Sequence, residues 1–397
     1  MDPRTEEQYQ QFLIRNYGAP PISLVSGSGS RVTDDEGRTY LDFTTGIAVN
    51  ALGHSHPDWV KAVQEQATRL THCSNLFANP LQAELAERLN QNTPAGKVLF
   101  CNSGAEANEA LIKLARLHGR KISGREGKRF TVLTAENAFH GRTFGGMAAT
   151  PQEKIQSGFR PMLKGFRHAK LNDIDSFKKA VDRSVCAVLV ETIQGEGGIY
   201  PADEQFLRDL RELCTERGVM LMVDEVQCGI GRSGKFFAYH YSGIEPDAIG
   251  MAKGLGGGFP IGAIWTANAF SDLFTPGSHG TTFGGTPLAC SAALAVLNVL
   301  ERDNLIEQVA RQGTHLMEAL LNLQKKFPER IREIRGKGYL VGIALNEDHL
   351  PIVARLRDEG LLTAPAGGQT VRFIPPLTAS MEELDEAVGI FERVLKD

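Results

Sequence analysis

Residues 219–266 read VMLMVDEVQCGIGRSGKFFAYHYSGIEPDAIGMAKGLGGGFPIGAIWT, and three short apolar runs divide this stretch. The runs are VMLMVDE (219–225), DAIGMA (247–252) and IGAIWT (261–266). Each has the length of a strand and is bounded by glycine-rich or acidic turns. Because these runs are apolar almost throughout rather than at alternate positions, they favour strands of a sheet that is covered on both faces.

The same pattern extends towards the N-terminus. Further candidate strands are KVLFCN (97–102), FTVLTA (130–135) and CAVLVE (186–191), and helical patterns stand at residues 105–119 and 204–218. This alternation predicts an α/β fold with a mostly parallel central sheet covered by helices. Ligands of such sheets bind outside the carboxyl ends of the strands, so we expect the functional residues directly after the strands.

The two ends of the chain differ from this middle region. RVTDDEGRTYLDF (31–43) predicts a hairpin that turns at residues 35–37, and the residues after Pro287 form a helical stretch followed by a mixed α+β pattern. We therefore predict an N-terminal segment or arm (1–50), a large domain (51–286) and a smaller α+β C-terminal domain (287–397).

Composition excludes several classes of function. The chain has 397 residues, 42% of them hydrophobic, and a net charge of −4, which provides no electrostatic footprint for nucleic acid or an anionic membrane. Its six cysteines form no CxxC pair and no metal-ligand spacing, so we expect reduced thiols, no metal site and a cytoplasmic location. The polar start predicts no signal peptide, and no apolar run approaches the length of a membrane span.

A possible phosphate site follows the first strand of the large domain. KVLFCN leads directly into Ser103-Gly104-Ala105 and a helical pattern. Ser103 is a favoured N-cap, and Glu106 completes the pattern of a capping box, so a well-capped helix is the simpler interpretation. The alternative is a phosphate-binding turn, because a helix N-terminus offers free N–H groups and the positive end of the helix dipole.

Two charged side chains end two further strands. Asp224 stands at the carboxyl end of VMLMVDE, where it could face a metal, another cation or a protonated ring nitrogen, or simply cap a helix. Lys253 follows DAIGMA and precedes a glycine run. A lysine there suits a nucleophilic amine beside a ligand, and a solvated loop lysine is the alternative.

Two other patterns carry less weight. GIGRSGKF (229–236) is close to a phosphate-binding P-loop, but Phe236 replaces the Ser or Thr that would hold magnesium. A nucleotide-binding module built on it is thus a remote alternative. His54 and His56 alternate like metal ligands, but without a third ligand we expect histidines satisfied within a turn.

Six motifs together resemble the class III aminotransferases of pyridoxal-phosphate (PLP) fold type I, over essentially the whole chain. They occur in the order of that family and read NSGAEANEA (102–110), FHGRT (139–143), ETIQGEGG (191–198), VDEVQCGIGRSGKFFA (223–238), AKGLGGGFPIGA (252–263) and GTTFGG (280–285). The resemblance implies PLP as the cofactor and transamination as the reaction.

The family's cofactor-binding roles carry over to matching positions. The resemblance implies that Lys253 forms the Schiff base with PLP and moves the proton during catalysis, and that Asp224 pairs with the pyridine nitrogen. Ser103, Gly104 and Ala105 match the phosphate-binding turn, and Phe139 matches the aromatic ring that stacks on the pyridine. Gln227 matches a residue near the phenolic oxygen of the cofactor. Thr282, with Thr281, matches a phosphate contact from the neighbouring subunit. The last contact implies a homodimer with shared sites.

Substrate roles carry over in the same way. The resemblance implies that Arg142 holds the α-carboxylate of the amino donor, that Arg372 binds 2-oxoglutarate, and that Glu196 pairs with Arg372 in one half-reaction and swings away in the other. Tyr17 matches a substrate-contacting tyrosine. Two positions depart from the family pattern, Thr192 for a proline and Thr286 for an asparagine.

Within the family the chain resembles most the group that acts on N2-acetylornithine, partly through Ile47 in TTGIAVNALGH. The resemblance implies transfer of the δ-amino group to 2-oxoglutarate, giving N-acetylglutamate 5-semialdehyde and glutamate in arginine biosynthesis. Ornithine, succinylornithine, 4-aminobutyrate and N-succinyl-diaminopimelate stay open as donors. An aminomutase of the same fold is disfavoured, because it would not need Arg372 to bind an external oxo acid. A relative without catalytic activity is also disfavoured, because Lys253, Asp224 and Arg142 are all present.

Overall fold

A computed structural model describes residues 1–396 of the chain. Its strands are β1 (Leu24–Ser28), β2 (Arg31–Asp34), β3 (Thr39–Asp42), β4 (Gly96–Cys101), β5 (Thr131–Ala135), β6 (Phe166–Ala169), β7 (Val185–Glu191), β8 (Ile193–Gln194), β9 (Tyr200–Pro201), β10 (Met220–Asp224), β11 (Ala248–Met251), β12 (Gly262–Ala267), β13 (Ile331–Lys337), β14 (Leu340–Leu345), β15 (Leu361–Leu362), β16 (Ala364–Ala366) and β17 (Thr370–Phe373).

Helices cover the sheets and connect their strands. They are α1 (Pro3–Phe12), α2 (Thr45–Ala48), α3 (Pro57–Ala67), α4 (Pro80–Asn90), α5 (Gly104–Ser123), α6 (Phe144–Ala149), α7 (Glu153–Gln156), α8 (Ile174–Ala180), α9 (Glu204–Arg217), α10 (Asn268–Ser271), α11 (Pro287–Arg302), α12 (Leu305–Lys326), α13 (His349–Asp358) and α14 (Met381–Lys396), with 3₁₀ helices at Ala238–Tyr241 and Lys253–Leu255. No helix within residues 1–396 combines the length and the apolar composition that a membrane span requires.

Within residues 1–396, seven strands form the central sheet in the order β4-β12-β11-β10-β7-β5-β6. Only β12 runs antiparallel to its neighbours, so the expected mostly parallel α/β sheet is confirmed. The six candidate strands are all present, with ends within two residues of those expected. The sequence analysis missed β6, because this edge strand reads Phe-Arg-His-Ala and has no continuous apolar run.

The N-terminal and C-terminal regions share a sheet. The hairpin of β2 and β3 turns where expected, and β15 pairs in parallel with β3, so residues 24–42 and 361–362 lie in one sheet. A second sheet, β13-β14-β17-β16, is antiparallel throughout and gives the C-terminal region its α+β character. The division at residues 50 and 286 stays a prediction, and Asp397 lies outside the described residues.

The register of the parallel strands brings the candidate residues to one edge. Asp224, the last residue of β10, pairs with Glu191 at the end of β7 and with Gly250 near the end of β11. Lys253 stands two residues after the end of β11, in the left-handed region at φ 46°. Parallel strands thus deliver two acids and a lysine to the same carboxyl edge.

Candidate active site

A cavity of about 390 Å³ opens at this edge, within the usual size range of small-molecule sites. Of the predicted site residues it is lined by Ser103, Gly104, Ala105, Phe139, Arg142, Glu196, Asp224, Gln227 and Lys253. Arg372 is not in this lining, but it reaches the cavity through contacts to two lining residues. Tyr17, Thr281 and Thr282 are also outside the lining.

Asp224 is buried and its carboxylate is held by three donors. Oδ2 accepts from Asn108 Nδ2 at 2.7 Å and from His140 Nδ1 at 2.8 Å, and Oδ1 accepts from the Val226 backbone N–H at 3.0 Å. Burial opposes a charge on His140, but the bond to Asp224 and the nearby negative charge outweigh it, so the pKa of His140 is raised. A carboxylate held in this way is oriented before any ligand arrives.

The sequence analysis did not assign roles to Asn108 or His140, although both stand in quoted motifs. Asn108 lies in α5 and reaches Asp224 across the start of that helix, while His140 lies in the loop after β5. The signal was their position within NSGAEANEA and FHGRT, beside residues that were assigned. A contact between residues 116 positions apart in the chain has no local pattern that would reveal it.

Lys253 lines the cavity. Burial lowers the pKa of its ammonium group, while the negative charges of Glu196, Asp224 and Glu191 oppose that shift and Arg372 supports it. A lowered pKa makes the neutral amine available at lower pH than for an exposed lysine, as a nucleophile or a proton acceptor requires.

The turn at Ser103 is a capped helix that faces the cavity. Ser103 Oγ accepts from the Glu106 N–H at 3.2 Å. Glu106 Oε2 accepts in return from the N–H of Asn102 at 2.6 Å, whereas a capping box would use the N–H of Ser103. A Cβ on Gly104 would lie 2.6 Å from Val226 Cγ1, so only glycine fits this position. The start of the 20-residue α5 therefore presents N–H groups and a positive dipole end to the cavity.

Arg372 and Glu196 form an ion pair beside the cavity. Arg372 is 1% exposed; its Nη1 lies 2.5 Å from Glu196 Oε1, and its Nη2 donates to the Pro365 carbonyl at 2.9 Å. Burial would raise the pKa of Glu196, but the Arg372 charge outweighs burial and the pKa is lowered. Glu196, whose carboxylate lines the cavity, is thus paired with the guanidinium of Arg372, a group that can bind a carboxylate through two parallel hydrogen bonds.

Gln227 completes this ion-pair cluster. Its Oε1 accepts from Arg372 Nη1 at 3.2 Å, and its Nε2 donates to Glu196 Oε1 at 3.3 Å. The role near a phenolic oxygen stays a prediction for Gln227. The contacts with Arg372 and Glu196 are an additional role that the sequence analysis missed.

Phe139 and Arg142 lie on the loop after β5. Phe139 is half-buried in the lining, and the guanidinium of the exposed Arg142 lies 5.8 Å from the centroid of its ring. The flat ring and the adjacent positive charge suit an aromatic ligand and a carboxylate, respectively.

Three predicted residues stand apart from the cavity within this chain. Tyr17 is 84% exposed, and Thr282 is exposed on a loop, while Thr281 Oγ1 accepts from Asn102 Nδ2 at 2.9 Å. Their assigned roles stay predictions. Asn102 stands directly before the N-cap Ser103, so Thr281 is tied to the segment that leads from β4 into α5.

Glu191 was not among the predicted site residues, yet it lines the cavity at the end of β7. Its carboxylate accepts from the N–H of Phe139 at 3.0 Å and from the N–H of Gly195 at 3.1 Å. Burial raises its pKa to about 7. Its neighbour Thr192, the departure from the family's proline, donates to the buried Glu225 at 2.8 Å.

The two minor patterns have structural explanations. GIGRSGKF forms turns rather than a loop between a strand and a helix, so it lacks the context of a P-loop. His54 Nε2 lies 2.8 Å from Asp42 Oδ2, as expected for a satisfied turn histidine. The expectation was wrong for His56, whose buried Nδ1 has no hydrogen-bond partner among the described residues. Residues 1–396 contain no group of three or more His, Cys, Asp or Glu side chains placed to hold a metal ion.

Comparison with known proteins places this geometry in a family. The class-III aminotransferase family matches residues 13–395 of the chain. The chain is 49% identical over 389 residues to an acetylornithine aminotransferase of Caldanaerobacter subterraneus subsp. tengcongensis, covering 98% of each protein. It is 45% identical to an acetylornithine aminotransferase of Gloeobacter violaceus, with 98% of this chain and 97% of that protein covered.

Solved structures agree with these relatives. The ornithine aminotransferase of Toxoplasma gondii, described with partial occupancy of PLP at its active site, superposes with a TM-score of 0.95 at 32% identity, over 100% of this chain and 94% of that one. The acetylornithine aminotransferase of Elizabethkingia anophelis gives a TM-score of 0.87 at 34% identity, over 98% and 97%. Because the family matches residues 13–395 and relatives 45–49% identical align over nearly their whole length, the chain belongs to the class-III aminotransferase family.

Proposed function

We propose that this chain uses PLP to transfer the δ-amino group of N2-acetylornithine to 2-oxoglutarate, giving N-acetylglutamate 5-semialdehyde and glutamate, a step of arginine biosynthesis. The observation that carries the proposal is the Glu196–Arg372 ion pair beside the cavity that contains Lys253. A single site that serves two dissimilar substrates needs a carboxylate-binding group that can be neutralised for one of them.

The cavity fits PLP by the chemistry of its walls. The N-terminus of α5 at Ser103 suits the phosphate, the buried and oriented Asp224 suits a protonated ring nitrogen, and Phe139 suits the ring face. Gly104 lets the start of this helix pack closely on Val226, another residue of the cavity lining. Lys253 completes the set with an amine whose pKa is lowered.

PLP, when bound, supplies a carbonyl carbon that accepts the amino group and a ring that withdraws electrons from the bond being broken. Lys253 is then the proton carrier, because it lines the cavity and its amine is neutral over a wider pH range than that of an exposed lysine. Asp224 keeps the ring nitrogen protonated, and His140 and Asn108 hold Asp224 in place.

The ion pair decides which substrate is accommodated. While Glu196 neutralises Arg372, the cavity receives a donor through its α-carboxylate at Arg142. When the Glu196 side chain rotates away, Arg372 is free to bind a carboxylate of 2-oxoglutarate in a bidentate manner. Both arginines thus serve in turn, as ping-pong transfer requires.

The choice of donor is supported by eight relatives that are named acetylornithine aminotransferases and are 41–49% identical to this chain. The second candidate donor is ornithine, because ornithine aminotransferases are among the structures that superpose over nearly the whole chain. The six unpaired cysteines support a reducing, cytoplasmic setting for the enzyme.

A panel of ω-amino donors with 2-oxoglutarate tests this function. We expect kcat/KM for N2-acetylornithine to exceed that for ornithine by roughly 10- to 200-fold, the discrimination that about 1–3 kcal/mol of pocket contacts provides. Succinylornithine, 4-aminobutyrate and N-succinyl-diaminopimelate complete the panel. A higher kcat/KM for any of these than for N2-acetylornithine would reassign the donor, and absence of transamination with all of them would refute the function.

We further propose a homodimer in which Thr282 serves the partner's site. The loop around Thr282 packs on residues 72–75, since the rings of His72 and Phe283 lie 5.2 Å apart and Asn75 Nδ2 donates to the Thr281 carbonyl at 3.2 Å. Leu76, Phe77 and Phe283 on this surface are 85%, 70% and 60% exposed. Large apolar side chains exposed together mark a protein interface, and a second copy of this chain would place the loop at another active site.

Hybrid dimers test the shared site. Co-expressing Lys253→Ala and Thr282→Asp chains with different tags yields hybrids in which one site carries both changes and the other carries neither. We expect each homodimer to be nearly inactive and the hybrid to have roughly half of the wild-type kcat per dimer, since one of its two sites is intact. A hybrid no more active than its parents, or a fully active Thr282→Asp homodimer, would contradict the assignment.

A further inference from the structure

Glu191 connects two loops that face the cavity from different strands. It ends β7 and is 6% exposed, and its two carboxylate oxygens accept separate backbone N–H groups. Oε2 accepts from Phe139, on the loop after β5, and Oε1 accepts from Gly195, on the loop after β8. One buried carboxylate therefore satisfies both loops at once.

The two loops carry different parts of the site. Phe139 faces the cavity with its ring, while Gly195 directly precedes Glu196, the acidic member of the ion pair. The position of Glu196 relative to Arg372 therefore depends on the same Glu191 carboxylate that holds the loop of the aromatic ring.

The backbone around Glu196 is held on several sides. A Cβ on Gly195 would lie 2.2 Å from Gln227 Oε1, and a Cβ on Gly197 would lie 2.8 Å from the Asn137 carbonyl. The N–H of Gly367 donates to the Glu196 carbonyl at 3.0 Å. Movement of Glu196 is thus confined to its side chain, and the direction of that side chain depends on where the backbone is held.

We propose that Glu191 is a positioning residue that couples the cofactor-facing Phe139 loop to the Glu196 loop, so that the ion pair forms at the correct distance from the ring. This inference rests on the proposed function. A glutamine at this position has the same shape but only one acceptor, so one loop would lose its hydrogen bond. A capping role alone would involve one loop, whereas Glu191 binds both.

Hydrogen exchange of the holoenzyme measures the coupling without reference to activity. In Glu191→Gln we expect the amides in segments 136–143 and 193–199 to exchange roughly five- to tenfold faster, since each loop is released in part of the ensemble. Glu136→Gln is the matched control, because Glu136 is exposed just after β5 and lies outside the cavity lining. Wild-type exchange in both segments, or acceleration in only one, would overturn the inference.

Donor selectivity tests whether Glu191 acts through Glu196. We expect Glu191→Gln to lower the ratio of kcat/KM for N2-acetylornithine to that for glutamate by about tenfold, because a displaced Glu196 leaves Arg372 free for glutamate. In a Glu196→Ala background the same change should alter this ratio less than about twofold. An equal effect in both backgrounds would contradict a role through Glu196.

These outcomes separate the inference from the function on which it rests. A wild-type protein that transaminates no donor refutes the proposed function, while the exchange measurement still reports the coupling of the two loops. Should Glu191→Gln not fold, Glu191→Asp takes its place, because its shorter side chain reaches only one of the two N–H groups. Since either loop can keep the single remaining bond, faster exchange in both segments with a lowered donor ratio then supports the coupling. Acceleration in only one segment, or wild-type exchange in both, refutes it.

Discussion

Lys253→Ala should lower kcat by roughly 10⁴-fold or more with every amino donor, because the variant loses both its nucleophilic amine and its proton carrier. PLP binding should persist, since the phosphate turn at Ser103, Asp224 and Phe139 are unchanged. Single-turnover assays with PLP and N2-acetylornithine would measure the loss. Turnover within about tenfold of wild type would refute the role assigned to Lys253.

Two controls exclude unfolding as the cause. Borohydride should attach the cofactor irreversibly to the wild-type chain and not to Lys253→Ala, as mass spectrometry would show. Lys235→Ala is the matched variant, because Lys235 is exposed and lies outside the cavity lining, and it should keep wild-type kcat.

The melting temperature of cofactor-free Lys253→Ala, compared with that of the cofactor-free wild type, provides a further check on the burial of Lys253. Burial lowers the pKa of Lys253 in the folded chain, so between this lowered pKa and the ordinary lysine pKa the unfolded chain binds more protons at this group. The buried amine therefore destabilises the cofactor-free fold at neutral pH, and this effect disappears above the ordinary lysine pKa. Cofactor-free Lys253→Ala should melt no lower than the cofactor-free wild type at pH 7.

Asp224→Asn should lower kcat by roughly 10²- to 10⁴-fold, because losing one partner of a buried ion pair costs about 3–5 kcal/mol and about 1.4 kcal/mol corresponds to a factor of ten. The amide keeps the shape of the side chain but has no charge to hold a proton on the ring nitrogen. Steady-state kinetics with saturating PLP would measure the effect.

Asp247→Asn is the matched control for Asp224. Asp247 stands directly before β11, at the opposite end of the parallel strands, where it pairs with Arg211 at 2.9 Å outside the cavity. We expect Asp247→Asn to affect stability more than kcat. A value of kcat for Asp224→Asn within about twofold of wild type would exclude the role of Asp224 at the ring.

Local patterns accounted for much of the fold and for part of the site. The apolar runs predicted six of the seven central strands, because a buried parallel strand is apolar over its whole length. The edge strand β6 has no such run and was missed. At the site, Asp224 and Lys253 were visible as charged residues at the ends of buried strands, a position that is informative by itself.

Contacts between distant segments were beyond these patterns. The bonds of Glu191 to Phe139 and Gly195, and those of Asn108 and His140 to Asp224, join loops and helices that follow different strands. Asn108 and His140 have no distinguishing pattern in their own segments, and although Glu191 ends a buried strand as Asp224 does, nothing local reveals its partners. Only the pairing of β7 with β10, and of β5 with β7, brings them within hydrogen-bond distance.

The sequence by itself determined the class of fold, the order of the motifs, and the lysine and aspartate at the strand ends, because hydrophobic periodicity and strand-end position are local properties. The tertiary structure decided how these residues are held. It joined Arg372 to Glu196 across 176 positions of the chain, added Gln227 to that pair, and made Glu191 the shared acceptor of two loops. The reason is physical: a buried polar group takes whichever partner the packed strands bring within reach.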